Sequence, residues 1–249
     1  MKRIFVTGFP HSGTTILRAK LGTGDNVFEQ KLESFYPSDL EEYQTSGKEF
    51  YLWKNPVILL FEDNPFNFIL ENSFRSKSES YYKDDDVIFI IRNPYYSYSS
   101  IYKIFKKKFG KLKSTQHLLT NFEQDFIPTA KLFLDTYLNP VPKVYTLYYE
   151  ELFENNFQVL RNVMDKIGIQ YGDLSSSDTK HLINYVQEVP DSKPEHYVGD
   201  VGYYRTWQIN QPFTNFNDPS KLDLPQRFID YLDSSEIVSK LGYTNPYKQ

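Results

Sequence analysis

The sequence predicts an α/β protein: a three-layer α/β/α domain around a central, mostly parallel sheet, spanning residues 1–249 as one unit. Three observations predict it. The run "VIFII" at 87–91 is five apolar residues without a break, a pattern suited to a parallel strand covered on both faces. The run "RIFVT" at 3–7 passes straight into a Gly-containing turn and then into helical periodicity. Candidate strands also alternate with candidate helices along the chain, as a parallel sheet with crossover helices requires.

Each element has its own signal. Residues 3–7 read as a short buried strand, and the helix that follows begins near Gly13, with Ile16, Leu17 and Leu21 on one face. "EFYLWK", 49–54, is a strand stopped by Asn55-Pro56. "DDDVIFIIR", 84–92, is a strand with an acidic lead-in, and Pro94 and Gly110 bracket the next helix. A helix is expected over 115–138, then "KVYTLYYEEL", a strand running into a helix. "FQVLRNVMDKIG" places Val159, Leu160, Val163 and Ile167 on one helical face. The C-terminal part, 170–249, reads as loop-rich, above all over 170–225, where Pro, Asp, Ser and Asn recur.

Composition removes several function classes. A net charge of −4 and a pI of about 5.6 argue against a nucleic-acid binder, whose footprint is a basic excess. Without cysteine there is no thiol nucleophile, thiolate metal site or disulfide. The four histidines, at 11, 117, 181 and 196, are scattered, so no metal is expected. No stretch approaches the ~18 apolar residues of a membrane span, and the expectation is a cytoplasmic protein. Tyr and Phe number 21 and 20, which reads as core and surface packing, with a sugar-stacking platform as the lesser alternative.

The turn after the first strand, "GFPHSGTT" at 8–15, is built to hold an anion. At a helix start, free N–H groups and the positive end of the helix dipole converge. Gly8 and Gly13 allow close approach, and Ser12, Thr14 and Thr15 add hydroxyls. The two glycines have the spacing of a P-loop, yet Thr14 stands where such a loop carries lysine, which argues against ATP hydrolysis. The stretch resembles instead the 5′-phosphosulfate loop of sulfotransferases that use 3′-phosphoadenosine 5′-phosphosulfate (PAPS), whose form is close to Gly-x-Pro-Arg/Lys-Ser-Gly-Thr-Thr. The resemblance implies the P-loop NTPase-like form of the α/β fold. It also implies that His11, Ser12, Gly13, Thr14 and Thr15 bind the cofactor, with His11 in the place of the family's cation.

"VIFIIRNPYYSYSS" supplies a second anion site. A strand ends at Arg92, a helix starts at Pro94, and Ser100 lies eight positions after the arginine. Sulfotransferases resemble this segment closely, and there the Arg and Ser bind the 3′-phosphate. The resemblance therefore implies Arg92 and Ser100 as 3′-phosphate ligands. An arginine fork suits phosphate oxygens. Residues 143–169 resemble the family's Tyr-Glu-Asp/Glu-Leu segment, in which Tyr149 and Glu150 are assigned no chemistry. Together the resemblance covers about residues 3–170.

Candidates for the chemistry follow from the same likeness. Leu32-Glu33-Ser34-Phe35-Tyr36 partly resembles the Lys-Glu-x-His-Phe-Phe segment of heparan sulfate 3-O-sulfotransferases, which implies Glu33 as the base and a carbohydrate hydroxyl as acceptor. Glu29 competes nearby. "YLWKNP" resembles the Lys-Thr/Ser-Pro segment of the superfamily and implies Lys54 near the transferring sulfuryl group. "HYVGDVGYYRTW" resembles the late Gly-rich basic loop, which implies Arg205 at the 3′-phosphate. The basic run "KIFKKKFGKLK", 103–113, needs no function beyond a solvated helix end. The expectation is a sulfotransferase that takes PAPS, releases adenosine 3′,5′-bisphosphate (PAP) and uses no metal. Two rivals stay open: a nucleotide kinase or NTPase, against which the missing lysine argues, and a PAP-binding module without turnover, for which His11 argues.

Overall fold

The computed structural model describes residues 2–30, 39–54, 85–174, 201–211 and 214–248. Its centre is a sheet of five strands, all parallel: β1 (Lys2–Gly8), β2 (Val27–Glu29), β3 (Phe50–Lys54), β4 (Asp86–Ile91) and β5 (Val144–Tyr148), in the order β2-β3-β1-β4-β5. Crossover connections carry α1 (Thr14–Gly22), α2 (Leu40–Ser46), α3 (Pro94–Phe109), α4 (Lys111–Asn121) and α5 (Ile127–Leu138). After β5 come α6 (Gln158–Ile167), α7 (Val201–Ile209), α8 (Gln226–Asp233) and α9 (Glu236–Lys240). The fold class expected from the sequence is the one observed. No helix among the described residues is long and apolar enough to cross a membrane.

Period-two alternation divides the central strands between two cores. Ile88 and Ile90 join Ile4, Val6, Leu17, Leu21, Leu160 and Met164 on one face. Phe89 and Ile91 join Tyr98, Phe122, Phe126, Phe133 and Phe228 on the other. This second core is the aromatic one: Phe9, in the turn after β1, meets Phe126 edge-on at 5.0 Å and Tyr98 at 5.3 Å. The turn after β1 is thus anchored from below by rings of α3 and of the segment joining α4 to α5.

Three expectations are corrected. The helix expected at 115–138 begins at Lys111 and is interrupted by a π-helical turn, Phe122–Phe126. Pro128 explains the interruption, since it offers no N–H and its ring would strike the carbonyl four residues back; a widened turn relieves both. The loop-rich C-terminal part contains α7, α8 and α9. In α8 the buried Phe228, Ile229 and Leu232 have ordinary helical spacing, a signal overlooked among the polar residues. Strand β2 and helix α2 were not anticipated: one is three residues long, and the other buries no side chain, so neither carries an apolar pattern.

Gly8 closes β1 where it pairs with Ile90. A Cβ there would lie 2.1 Å from the Ile90 carbonyl oxygen, which is backbone and has nowhere to go. Gly8→Ala is therefore expected to destabilise the fold by ~3 kcal/mol, read as a lower urea midpoint with an unchanged m-value. A midpoint equal to wild type would mean that β1 and β4 are not held this tightly.

Candidate active site

Because all five strands run the same way, the turns that follow them gather at one edge of the sheet, where open α/β sheets bind ligands. The turn after β1 leads into α1, whose N-cap Gly13 is left-handed at φ 89°. Glycine is required twice over at this position. The backbone demands positive φ, and a Cβ would fall 2.6 Å from the Tyr149 ring. His11 is also left-handed, at φ 65°, a conformation that non-glycine residues adopt rarely and mostly where function holds them. Ser12 is fully buried and its Oγ has no hydrogen-bond partner among the described residues. An orphaned hydroxyl beside the first, unpaired amides of a helix is what an anion would complete.

Lys54 approaches from the end of β3. That strand lies inside the sheet, between β2 and β1. The ammonium is buried and donates to Thr15 Oγ1 at 2.6 Å. A cation thus reaches the first turn of α1 from a neighbouring strand, although position 14 carries none.

Arg92 follows β4, and Asn93 caps α3 by accepting from the Tyr95 amide at 3.1 Å. Its guanidinium lies over the Tyr149 ring, 4.4 Å from the centroid. Its Nη1 donates to the His11 carbonyl at 3.2 Å, and its Nε donates to Asn217 Oδ1 at 2.7 Å. Burial lowers the pKa of Arg92, against the fields of Tyr149 and Glu150 that raise it, and a guanidinium stays charged through such shifts. Ser100, two turns into α3, places Oγ 3.0 Å from His11 Nδ1. The two expected anion sites therefore adjoin: His11 touches Arg92 with its carbonyl and Ser100 with its ring.

Among the described residues the site brings together His11, Ser12, Gly13, Thr14, Thr15, Lys54, Arg92 and Ser100. Glu29 is not with them. It is buried on β2 and ion-paired with Arg18 of α1 at 2.7 Å, a pairing that commits its carboxylate to the core. Sequence reasoning missed Tyr149, whose ring fills the space between Gly13 and Arg92, and also Glu150 and Asn217. Glu33 lies outside the described residues; Arg205 falls on α7, its side chain outside them as well.

Three solved structures that share this fold are sulfotransferases. The sulfotransferase domain from the curacin biosynthetic pathway matches with a TM-score of 0.54 and 16% identity, over 98% of each chain. Mouse sulfotransferase SULT7A1, complexed with PAP, matches with a TM-score of 0.52 and 15% identity, over 97% of this chain and 88% of the mouse chain. The sulfotransferase domain of the Synechococcus PCC 7002 olefin synthase gives 0.50 and 15%, over 99% and 96%. The chain has the sulfotransferase fold. No protein-family model matches its sequence, and no curated protein matches it significantly. Within this sulfotransferase fold, the turn after β1, the end of β4 and the start of α3 meet through the His11 contacts to Arg92 and Ser100.

Proposed function

We propose that the protein is a sulfotransferase that moves a sulfuryl group from PAPS to an acceptor hydroxyl, holding the donor at two adjoining anion sites and releasing PAP. The observation that carries this reading is the His11 junction: one residue contacts both Arg92 and Ser100 while sitting in the strained turn before the α1 N-terminus. Two negatively charged groups on one ligand, a short nucleoside apart, match two linked cation-and-amide sites. The orphaned Ser12 hydroxyl supports the same reading, because a phosphate oxygen would satisfy it.

In this reading PAPS supplies an activated sulfuryl group. Ser12, Thr14, Thr15 and the α1 amides hold the 5′ end, with His11 and Lys54 as the cations beside it. Arg92 and Ser100 hold the 3′-phosphate, and Arg205 is assigned to the same group. Glu33 removes the acceptor proton as the acceptor oxygen bonds to sulfur, and the sulfur–oxygen bond to the nucleotide breaks with its electrons on the phosphate. Positioning and charge carry most of the acceleration, as in phosphoryl transfer. A carbohydrate is the proposed acceptor class, and it rests on the partial likeness of residues 32–36 alone.

Saturating PAP at a hundred times its dissociation constant should stabilise the protein by ~2.7 kcal/mol. Arg92→Ala should lose most of that, since a hydrogen bond to a charged group is worth ~1.5–3 kcal/mol. Thermal-shift measurements check it: equal shifts in wild type and Arg92→Ala would remove Arg92 from the 3′-phosphate site. Incubation with radiolabelled PAPS and panels of glycans, phenols and peptides tests transfer itself, and label on none of them would favour a binding module.

A further inference from the structure

Glu150 accepts three hydrogen bonds from three separate parts of the chain. Its Oε1 receives the Asn93 amide at 3.1 Å and Asn217 Nδ2 at 2.8 Å; its Oε2 receives the Tyr243 hydroxyl at 3.1 Å. Asn217 is the go-between, because its other amide atom, Oδ1, accepts from Arg92 Nε. No carboxylate comes within ion-pair distance of Arg92 among the described residues. Tyr149 supports the same loop, since its hydroxyl accepts from the Phe216 amide at 3.1 Å while its ring carries the guanidinium.

This arrangement solves a conflict. A guanidinium must be fixed in direction to grip phosphate with its fork, and a carboxylate is the usual device. A direct carboxylate would also neutralise it and compete with the phosphate. An amide placed between them transmits orientation and withholds the charge. Nε and Nη1 are spent on Asn217 and His11, and Nη2 meets no acceptor among the described residues, so the fork is aimed with one arm unspent.

We propose that Glu150, acting through Asn217, is a positioning residue that aims Arg92 and thereby sets the preference for a 3′-phosphorylated nucleotide. The proposal rests on the reading of Arg92 given above. It assigns a role to the segment that carries Asn217, which brings the C-terminal part of the chain into nucleotide selection.

Titration calorimetry on the full chain, with PAP and with adenosine 5′-monophosphate, tests it, since the second ligand lacks only the 3′-phosphate. Asn217→Ala should weaken PAP ~10–100-fold, the span of one hydrogen bond to a charged group, and leave the monophosphate unchanged. Glu150→Gln should also weaken PAP selectively, and should add nothing in the Asn217→Ala background, because the two residues act in series. Equal losses for both nucleotides would reveal a general disturbance, and additive losses would show that Glu150 does not act through Asn217; either overturns the proposal. A wild-type protein that does not prefer PAP would instead remove the Arg92 assignment itself, and the relay with it.

Discussion

Turnover with saturating PAPS is expected to fall as pH rises through the titration of His11, and His11→Ala is expected to lose ~10²–10³-fold in rate, the scale set by removing one donor from a developing oxyanion. The sulfotransferase loop that this turn resembles carries Lys or Arg at this position, and an imidazole can replace them only while protonated. The ordinary imidazole pKa is ~6.5, close enough to neutrality for the surroundings to decide the charge. Bound anions favour the imidazolium, whereas the α1 N-terminus opposes it with only about half a charge. The catalytic charge is therefore present below the pKa of the complex and lost above it. Ser100 is compatible with either state, because a hydroxyl both donates and accepts; when the ring is charged, Nδ1 donates to Ser100 Oγ across their 3.0 Å contact and Nε2 remains a donor on the far side of the ring. His11→Lys should keep activity and flatten the alkaline fall. The pH profiles of kcat for wild type, His11→Lys and His11→Ala decide the matter. An active His11→Ala enzyme with the wild-type profile would leave Lys54 as the cation at the 5′ end.

Glu33→Gln is expected to cut turnover ~10²–10⁴-fold, the contribution of a positioned general base, with PAP affinity unchanged. Glutamine keeps the shape but takes no proton at neutral pH. Topology supports the assignment. Gln30 continues the pairing of β2 with β3 through the Leu52 carbonyl, so the segment that carries Glu33 sets out from the same sheet edge as the phosphate loop, Lys54 and Arg92. Glu29, the competing carboxylate, is held by Arg18. In the wild type the acid limb of the kcat profile should belong to the base and the alkaline limb to His11, so Glu33→Gln should abolish the acid limb of whatever rate remains. Near-normal turnover in Glu33→Gln, with an acceptor that the wild type uses well, would send the search for a base elsewhere.

The sheet and the anion loop were legible because their signals are local. Apolar runs at 3–7 and 87–91 can be satisfied only by burial on both faces, and Gly8, Gly13 and Pro94 restrict the backbone within a few residues of themselves. The π-helical turn before Pro128 was legible in principle, since the proline's missing N–H is also a local fact. The Pro, Asp, Ser and Asn of 170–225 mask the signal of α7, whereas α8 carries a legible one in the spacing of Phe228, Ile229 and Leu232.

Sequence alone thus determined the α/β class, the parallel sense of the strands and the two motifs that end β1 and β4, because period, proline and glycine act over a single turn or strand. The tertiary structure decided which side chains complete the site. Lys54 meets Thr15 across 39 residues, His11 meets Ser100 across 89, and Arg92 meets Asn217 across 125. Nothing in the local pattern at Asn217 or Glu150 sets them apart from other polar residues. Their roles come from strand order, which lays β1, β4 and β5 side by side, and from a C-terminal segment that returns to that edge, so that an arginine, a ring and an amide distant in sequence share one small volume.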